Sequence, residues 1–493
     1  METFMAINSY VNGIVWGPPM LALLVGTGIY LSVILGFPQV RYFGFMFKEV
    51  LGKIGKKAEG EGTISAFGAL SVALASTIGS GNIAGAATAL IFGMTTKMTE
   101  VSLAVKFREK DAAGNWRGGT MYVLEKAVGQ KWLAWIFAFF TTFAAFGIGN
   151  AIQANSTAQA LELGFRVPSY VSGIVIAVLV ALVIIGGLKR ISDVTTYLVP
   201  FMAIFYVLGG LAVIIVHANL IPQAIANAVY YAFNDPMAMP GAIAGWSIKA
   251  ALTKGVARGV FSNEAGLGSA PMVHATAVTD HPARQGVYGL FEVFMDTIVI
   301  CSITCIGILS TGTLTARPDL TGAQLTLTAF QTVLGTPGVM IMSAGLAMFA
   351  FSTILGWYWY GETGAVYIFG LKITPIYKIL WIAVCVIGAW GGGGKFLTNI
   401  WDLSETRCAR SSRTSTPSAR AGLSSSPVPA GFKLFSCSGR GPGVPRPLLS
   451  LFERRAFPCP LDLPGSRSTW RTLPSISAPS RIFSTRGAAS WQS

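Results

Sequence analysis

Runs of about twenty mostly apolar residues, the length a membrane-spanning helix needs, recur along the chain between short polar stretches. They predict helices at 14–36, 64–90, 91–105, 131–161, 169–187, 193–216, 245–270, 286–311, 338–361 and 376–394. With 52% hydrophobic and 12% charged residues, the composition is too apolar for a soluble protein. The fold class expected is an all-α polytopic membrane protein. Met1 is followed by acidic Glu2 rather than a basic run, so the first apolar segment is expected to remain as a helix and not to act as a cleaved signal.

Lys and Arg concentrate in every second loop. Arg41, Lys48, Lys53, Lys56 and Lys57 fall in 39–63, and six more fall in 106–131. Lys189 and Arg190 fill 188–192, Arg284 follows the seventh segment, and Lys372 with Lys378 follow the ninth. By the positive-inside rule these loops face the cytoplasm and the N-terminus faces outside. The pattern leaves only the 44 residues Ile64–Phe107 for two crossings and a turn. The second of these, IFGMTTKMTEVSLAV, is short and holds Lys97 and Glu100. The region is expected to carry a deletion or to form a tilted or re-entrant hairpin.

The net charge of +15 is uneven. Residues 407–493 hold 13 Lys/Arg against 2 Asp/Glu, 11 of the 24 prolines, and no apolar span. The domains expected are therefore a transmembrane domain at 1–406 and a disordered basic Ser/Pro/Arg-rich tail at 407–493. The tail lacks the Lys clusters and stacking aromatics of a nucleic-acid binder, so no nucleic-acid partner is expected. Cys301, Cys305 and Cys385 lie inside spans with no CxxC or Cys/His cluster, which gives neither a disulfide framework nor a structural metal site.

Two stretches break the apolar pattern. ASTIGSGNIAG at 75–85 places glycines, serines, a threonine and an asparagine inside the second span, and GVARGVFSNEAGLGSAP at 255–271 places Arg258, Asn263, Glu264 and glycines inside the seventh. Five spans apart, they cross in opposite directions. Two interrupted helices in corresponding positions of an inverted five-helix repeat build the binding site of many secondary transporters. The unwound backbone offers N–H groups to a carboxylate and carbonyls to a cation, and glycine permits both the unwinding and close approach. GSGNIAG also admits two other readings. One is a helix-packing face with small residues four apart, Gly81 and Gly85. The other is a dinucleotide loop, which the GxGxxxG spacing and the missing strand oppose.

The pair ASTIGSGNIAGAATA and RGVFSNEAGLGSAP, with FGIGNAIQANS at 146–156 and FAFSTILGWYWYGE at 349–362, resembles the alanine/glycine:cation symporter family from about residue 10 to 406. That resemblance implies eleven helices, the last ten in the inverted-repeat fold of the bacterial leucine transporter, with one extra helix before them. Two departures stand against it. About fifteen residues that family members place after the first motif are missing near residue 90, where the loop charges also show a shortfall. After NIWDLSET the eleventh apolar helix gives way to the frameshift-like tail, so the second repeat is expected to be incomplete and this chain not to transport.

The same resemblance implies site residues. Gly79, Ser80, Gly81 and Asn82 line the first break, with Ser80 and Gly81 offering backbone N–H groups to a substrate carboxylate and Thr77 a hydroxyl. Phe261 and Trp357 form a small side-chain pocket, and Gln153 and Asn150 add amides. The cation would be held by carbonyls of Ala75 and Ile78 and hydroxyls of Ser352 and Thr353. Hard neutral oxygens of this kind suit sodium better than a proton, since none titrates near neutrality. Each assignment has a plainer counterpart: helix packing for Phe261 and Trp357, an interhelical hydrogen bond for Gln153, and back-bonding to the preceding turn for Ser352 and Thr353. Glu264 reads either as a proton-coupling carboxylate or as a structural group paired with Arg258 or backbone amides.

The function expected is symport of a small neutral amino acid, alanine or glycine, with sodium, by alternating access in a monomer surrounded by lipid. Sodium is the coupling ion and no other cofactor is implied. Proton coupling, or a non-functional chain, are the alternatives. A channel would need a filter loop or pore-lining rings. An enzyme would need a catalytic constellation, yet His217, His274 and His281 sit near loops without clustered acids.

Overall fold

The computed structural model describes residues 18–56, 59–77, 86–226, 259–260, 262–317 and 322–390. In chain order these form α1 (Pro18–Ile34), α2 (Phe43–Leu51), α3 (Ala66–Thr77) and α4 (Ala86–Lys106). Next come α5 (Lys131–Ala144), a π-helical turn (Ala145–Ala151), α6 (Ile152–Phe165), α7 (Ser169–Ile184) and α8 (Gly187–Val216). After the seventh segment follow α9 (Pro282–Val293), a second π-helical stretch (Phe294–Cys301), α10 (Ser302–Ser310), α11 (Gly322–Phe369) and α12 (Thr374–Trp390). Among the described residues, five stretches are long and apolar enough to cross a membrane: Lys131–Phe165, Gly187–Val216, Pro282–Ser310, Leu325–Phe369 and Leu371–Trp390.

Among the described residues, large apolar side chains lie exposed in stripes along several helices, and the mainly apolar core also holds buried polar and charged groups. Tyr197, Phe201, Ile204, Leu208 and Ile215 recur every three to seven residues on one exposed stripe of α8. Ile174, Val178 and Leu182 do the same on α7. Lys97, His274, Glu292, Asn263 and Ser352 are meanwhile fully buried. Helices close on one another through small residues: a Cβ added at Gly286 on α9 would meet Ser102 Oγ of α4 at 2.3 Å, and one at Gly210 on α8 would meet Ile303 at 2.1 Å.

Two interruptions shape the helices. In α11 Gly335 lies at φ 62°, ψ −151°, two residues before Pro337, so the 48 residues are two helices meeting at a kink. The apolar pattern put the span at 338–361, while the apolar helical stretch runs from Leu325 to Phe369 across the kink. The π turn at Ala145–Ala151 contains Gly147 and Gly149 and reorients α6 against α11. A correction falls at the second crossing. Instead of a short helix at 91–105, α4 runs 21 residues from Ala86, which at about 1.5 Å per residue spans the hydrocarbon thickness. It takes in residues assigned to the preceding span, because AATAL is strongly helix-forming.

One end of the bundle gathers the basic loops. β1 (Ile64–Ser65) pairs in parallel with Ala277–Val278, and Gly62 is required beside them, since a Cβ there would sit 2.2 Å from the Val278 nitrogen. The Arg108 guanidinium stacks over Trp116 and donates to the carbonyls of Ala277 at 2.7 Å and Glu61 at 2.6 Å. Arg117 bridges Asp111 (2.8 Å) and Glu362 (3.5 Å), while Arg284 bridges Asp280 (2.9 Å) and Glu49 (3.3 Å). The loops 39–63, 106–131 and 275–284 therefore share one end, as the charge alternation requires. Residues 407–493 lie outside the described residues.

Candidate functional site

The seam between α3 and α11 brings several expected residues together. Gly356 of α11 faces Ser76 of α3 so closely that a Cβ would stand 1.9 Å from Ser76 Oγ. With the backbones this near, side chains of one helix reach carbonyls of the other. Thr353 Oγ1 lies 2.9 Å and Ser352 Oγ 3.3 Å from the Ala75 carbonyl. Both hydroxyls also lie within 2.9 Å of the Phe349 carbonyl, one turn back. One proton per hydroxyl leaves oxygen lone pairs over, so Ala75, Ser352 and Thr353 form a buried cluster of neutral oxygens. Ile78, the fourth expected ligand, lies outside the described residues.

Trp357 closes this cluster on one side. Its Nε1 donates to the Ser76 carbonyl at 3.3 Å and its ring meets Tyr360 edge-on at 5.4 Å. Gly149 in the π turn lies flat on it, since a Cβ there would be 2.1 Å from Trp357 Cβ. Gln153 follows one turn on, buried, with Nε2 donating to the Ile148 carbonyl at 3.2 Å and Oε1 without a hydrogen-bond partner among the described residues. Asn150 turns the other way, and its Nδ2 donates to the Trp381 carbonyl of α12 at 2.7 Å. Thr77 is buried, with Oγ1 donating to the Leu74 carbonyl at 3.1 Å. Gly79, Ser80, Gly81, Asn82 and Phe261 lie outside the described residues.

The seventh segment is broken where its glycines predict. A helical turn ends at Asn263, Glu264 takes the left-handed conformation at φ 53°, and Gly266 (φ 88°) and Gly268 (φ 74°) carry the chain through an irregular turn to Pro271–His274. Glu264 accepts from Ser269 Oγ at 2.8 Å. Arg258, its expected partner, lies outside the described residues. Asp296, in the second π stretch, accepts from Ser262 Oγ at 2.8 Å, and Asn263 Nδ2 donates to Thr297 Oγ1 at 3.2 Å.

A charged cluster beside the break escaped sequence reasoning. Lys97 Nζ is 3.1 Å from Glu292 Oε1, both wholly buried, and 2.9 Å from the Asn263 carbonyl. His274 corrects an expectation: far from standing in a loop without acids, it is buried with Nε2 3.1 Å from Glu292 Oε2 and Nδ1 2.8 Å from Gln285 Nε2. The signal was present, since Lys97, Glu292 and Asp296 are ionisable residues in apolar spans, where each needs a partner or water. His281 is structural: its Nδ1 accepts from the Ala283 N–H and caps α9.

Residues 1–410 match the sodium:alanine symporter family. The chain is 43% identical over 425 residues to the sodium/alanine symporter AgcS of Methanococcus maripaludis, covering 82% of this chain and 91% of that protein. It is 42% identical over 409 residues to an uncharacterised transporter of Haemophilus influenzae, covering 79% and 88%. To the amino-acid carrier protein AlsT of Bacillus subtilis it is 35% identical over 424 residues, covering 82% and 87%. A match of this extent, on a multi-helix bundle with exposed apolar stripes and a broken helix, places the chain in the sodium:alanine symporter family, whose members are multi-pass membrane transporters.

Proposed function

We propose that the protein takes up a small neutral amino acid, alanine or glycine, together with sodium. The observation that carries this is the oxygen cluster of Ala75, Ser352 and Thr353 beside Trp357. Its ligands are hard, neutral and buried, which suits an alkali cation. The amino acid would lie next to it. Its carboxylate would face the N–H groups of Ser80 and Gly81, and its side chain would sit between Trp357 and Phe261. Gln153 would contribute its free amide oxygen to the ammonium. An inverted repeat would supply the alternation, with the second and seventh segments rocking against the rest of the bundle. The basic end would face the cytoplasm in the cell inner membrane, with the N-terminus outside. Sodium is cargo here rather than a resident cofactor.

Binding of radiolabelled alanine to the purified 493-residue chain, in sodium and in potassium at fixed pH, tests the reading. Saturable binding in sodium should fall to background in potassium. Binding reads the site itself, independent of whether the chain completes a transport cycle. A second reading, proton coupling, draws on the buried carboxylates Glu264, Glu292 and Asp296 around the break. Equal alanine binding in both salts, with a steep dependence on pH, would favour it and remove sodium.

A further inference from the structure

Lys97 has no part in the binding site proposed above, yet it holds the point where the seventh segment breaks. In a continuing helix the Asn263 carbonyl would accept from the Leu267 N–H four residues on. Leu267 donates instead to Glu264, at 3.2 Å, because Glu264 and Gly266 turn the chain away. The Asn263 carbonyl takes the Lys97 ammonium in its place, at 2.9 Å. A cation at the last carbonyls of a helical turn is the favoured arrangement, because those groups are both unpaired and partly negative.

The ammonium is itself fixed. Glu292 Oε1 of α9 holds it at 3.1 Å, and both side chains are wholly buried. The other Glu292 oxygen faces His274 Nε2, just past the break. Gln285 Nε2 lies 2.8 Å from His274 Nδ1 on the other side of the ring, which fixes the imidazole between Gln285 and Glu292. Lys97 is the counter-ion of Glu292. Gly289 lets α4 and α9 approach closely enough for this, since a Cβ there would lie 3.2 Å from the Lys97 carbonyl. One ammonium thereby joins α4, α9 and the irregular turn at its first residue, and through His274 the same carboxylate holds the turn at its last.

We propose that Lys97 is a positioning residue whose ammonium, carried by Glu292, fixes the backbone of the break at Asn263–Glu264. Its influence on substrate affinity rests on the reading that this break lines the transport site.

Hydrogen–deuterium exchange on the purified full chain tests it. Lys97→Met alone leaves the Glu292 carboxylate buried without a counter-ion and is expected to destabilise the whole protein. The informative variant is Lys97→Met combined with Glu292→Gln, which removes both charges at nearly constant volume. In it the amides of residues 264–269 should exchange at least tenfold faster, with α9 and the rest of α4 as protected as before, and the alanine dissociation constant in sodium should rise about tenfold. Unchanged exchange at 264–269 would overturn the proposal. So would uniform acceleration across α4, α9 and the break, which would make the pair a packing element only. Faster exchange confined to the break with unmoved alanine affinity would keep Lys97 as its clamp and would instead defeat the assignment of this break to the transport site.

Discussion

Replacing Gly356 by valine should abolish sodium-dependent alanine binding and lower the unfolding temperature by several degrees. A Cβ at this position stands 1.9 Å from Ser76 Oγ, 3.1 Å from Ser76 Cβ and 2.9 Å from the Val72 carbonyl. The serine oxygen could turn away from a single methyl, but the carbonyl belongs to the α3 backbone and cannot. Valine adds two further carbons to the same gap. The helices must separate, and the overpacking costs about 1–3 kcal/mol. Separation also draws the Ala75 carbonyl away from Ser352 and Thr353 and the Ser76 carbonyl away from Trp357. Each buried bond lost adds about 1 kcal/mol. Gly345 on the same helix is the control, because its nearest neighbour is a Phe205 ring carbon at 3.9 Å. Gly345→Ala should bind as the parent does. Thermal unfolding and alanine binding on Gly356→Ala, Gly356→Val and Gly345→Ala read the series. Full binding by Gly356→Val would mean that the α3–α11 seam does not hold the site.

Much of this architecture was legible in the sequence because its causes are local. A run of twenty apolar residues reports a spanning helix without reference to anything else, whereas the kink at Gly335, two residues before Pro337, was not drawn from the sequence. Two glycines within 264–269, Gly266 and Gly268, and a polar motif mark the break after Asn263, because such residues leave helical geometry cheaply. The alternation of basic loops foretold which loops share an end, though not that Arg108, Arg117 and Arg284 bind it together there. Pairings across the bundle have no local signature. Lys97 read as a misfit in a short helix because its partner, Glu292, lies five predicted spans later. His274 read as a loop residue for the same reason, since neither Gln285 nor Glu292 neighbours it in an obvious motif. Asn150 sits in the motif that carries the family resemblance, yet its amide serves α12. Motif membership told where the chain is special, and only the packing told which way each side chain turns.

The double variant Ser352→Ala with Thr353→Val should raise the sodium concentration for half-maximal alanine binding at least thirtyfold. At saturating sodium, alanine affinity should move less than threefold. The replacements nearly keep the shape of each side chain, so what leaves the site is two hydroxyl oxygens at the Ala75 carbonyl. If these oxygens coordinate the ion, their loss falls on sodium affinity first, and a thirtyfold change corresponds to about 2 kcal/mol. The competing account is back-bonding: both hydroxyls lie within 2.9 Å of the Phe349 carbonyl and could serve only to steady α11. The two accounts separate in the single variants. Under coordination, Thr353→Val and Ser352→Ala each weaken sodium dependence, and their effects combine unevenly because both oxygens share one ion. Under back-bonding, each loses a little thermal stability and sodium dependence stays where it was. If alanine affinity moves and sodium dependence does not, the hydroxyls belong to the amino-acid pocket, and the ion must be sought around Ser262 and Asp296, where a carboxylate and two hydroxyls already converge.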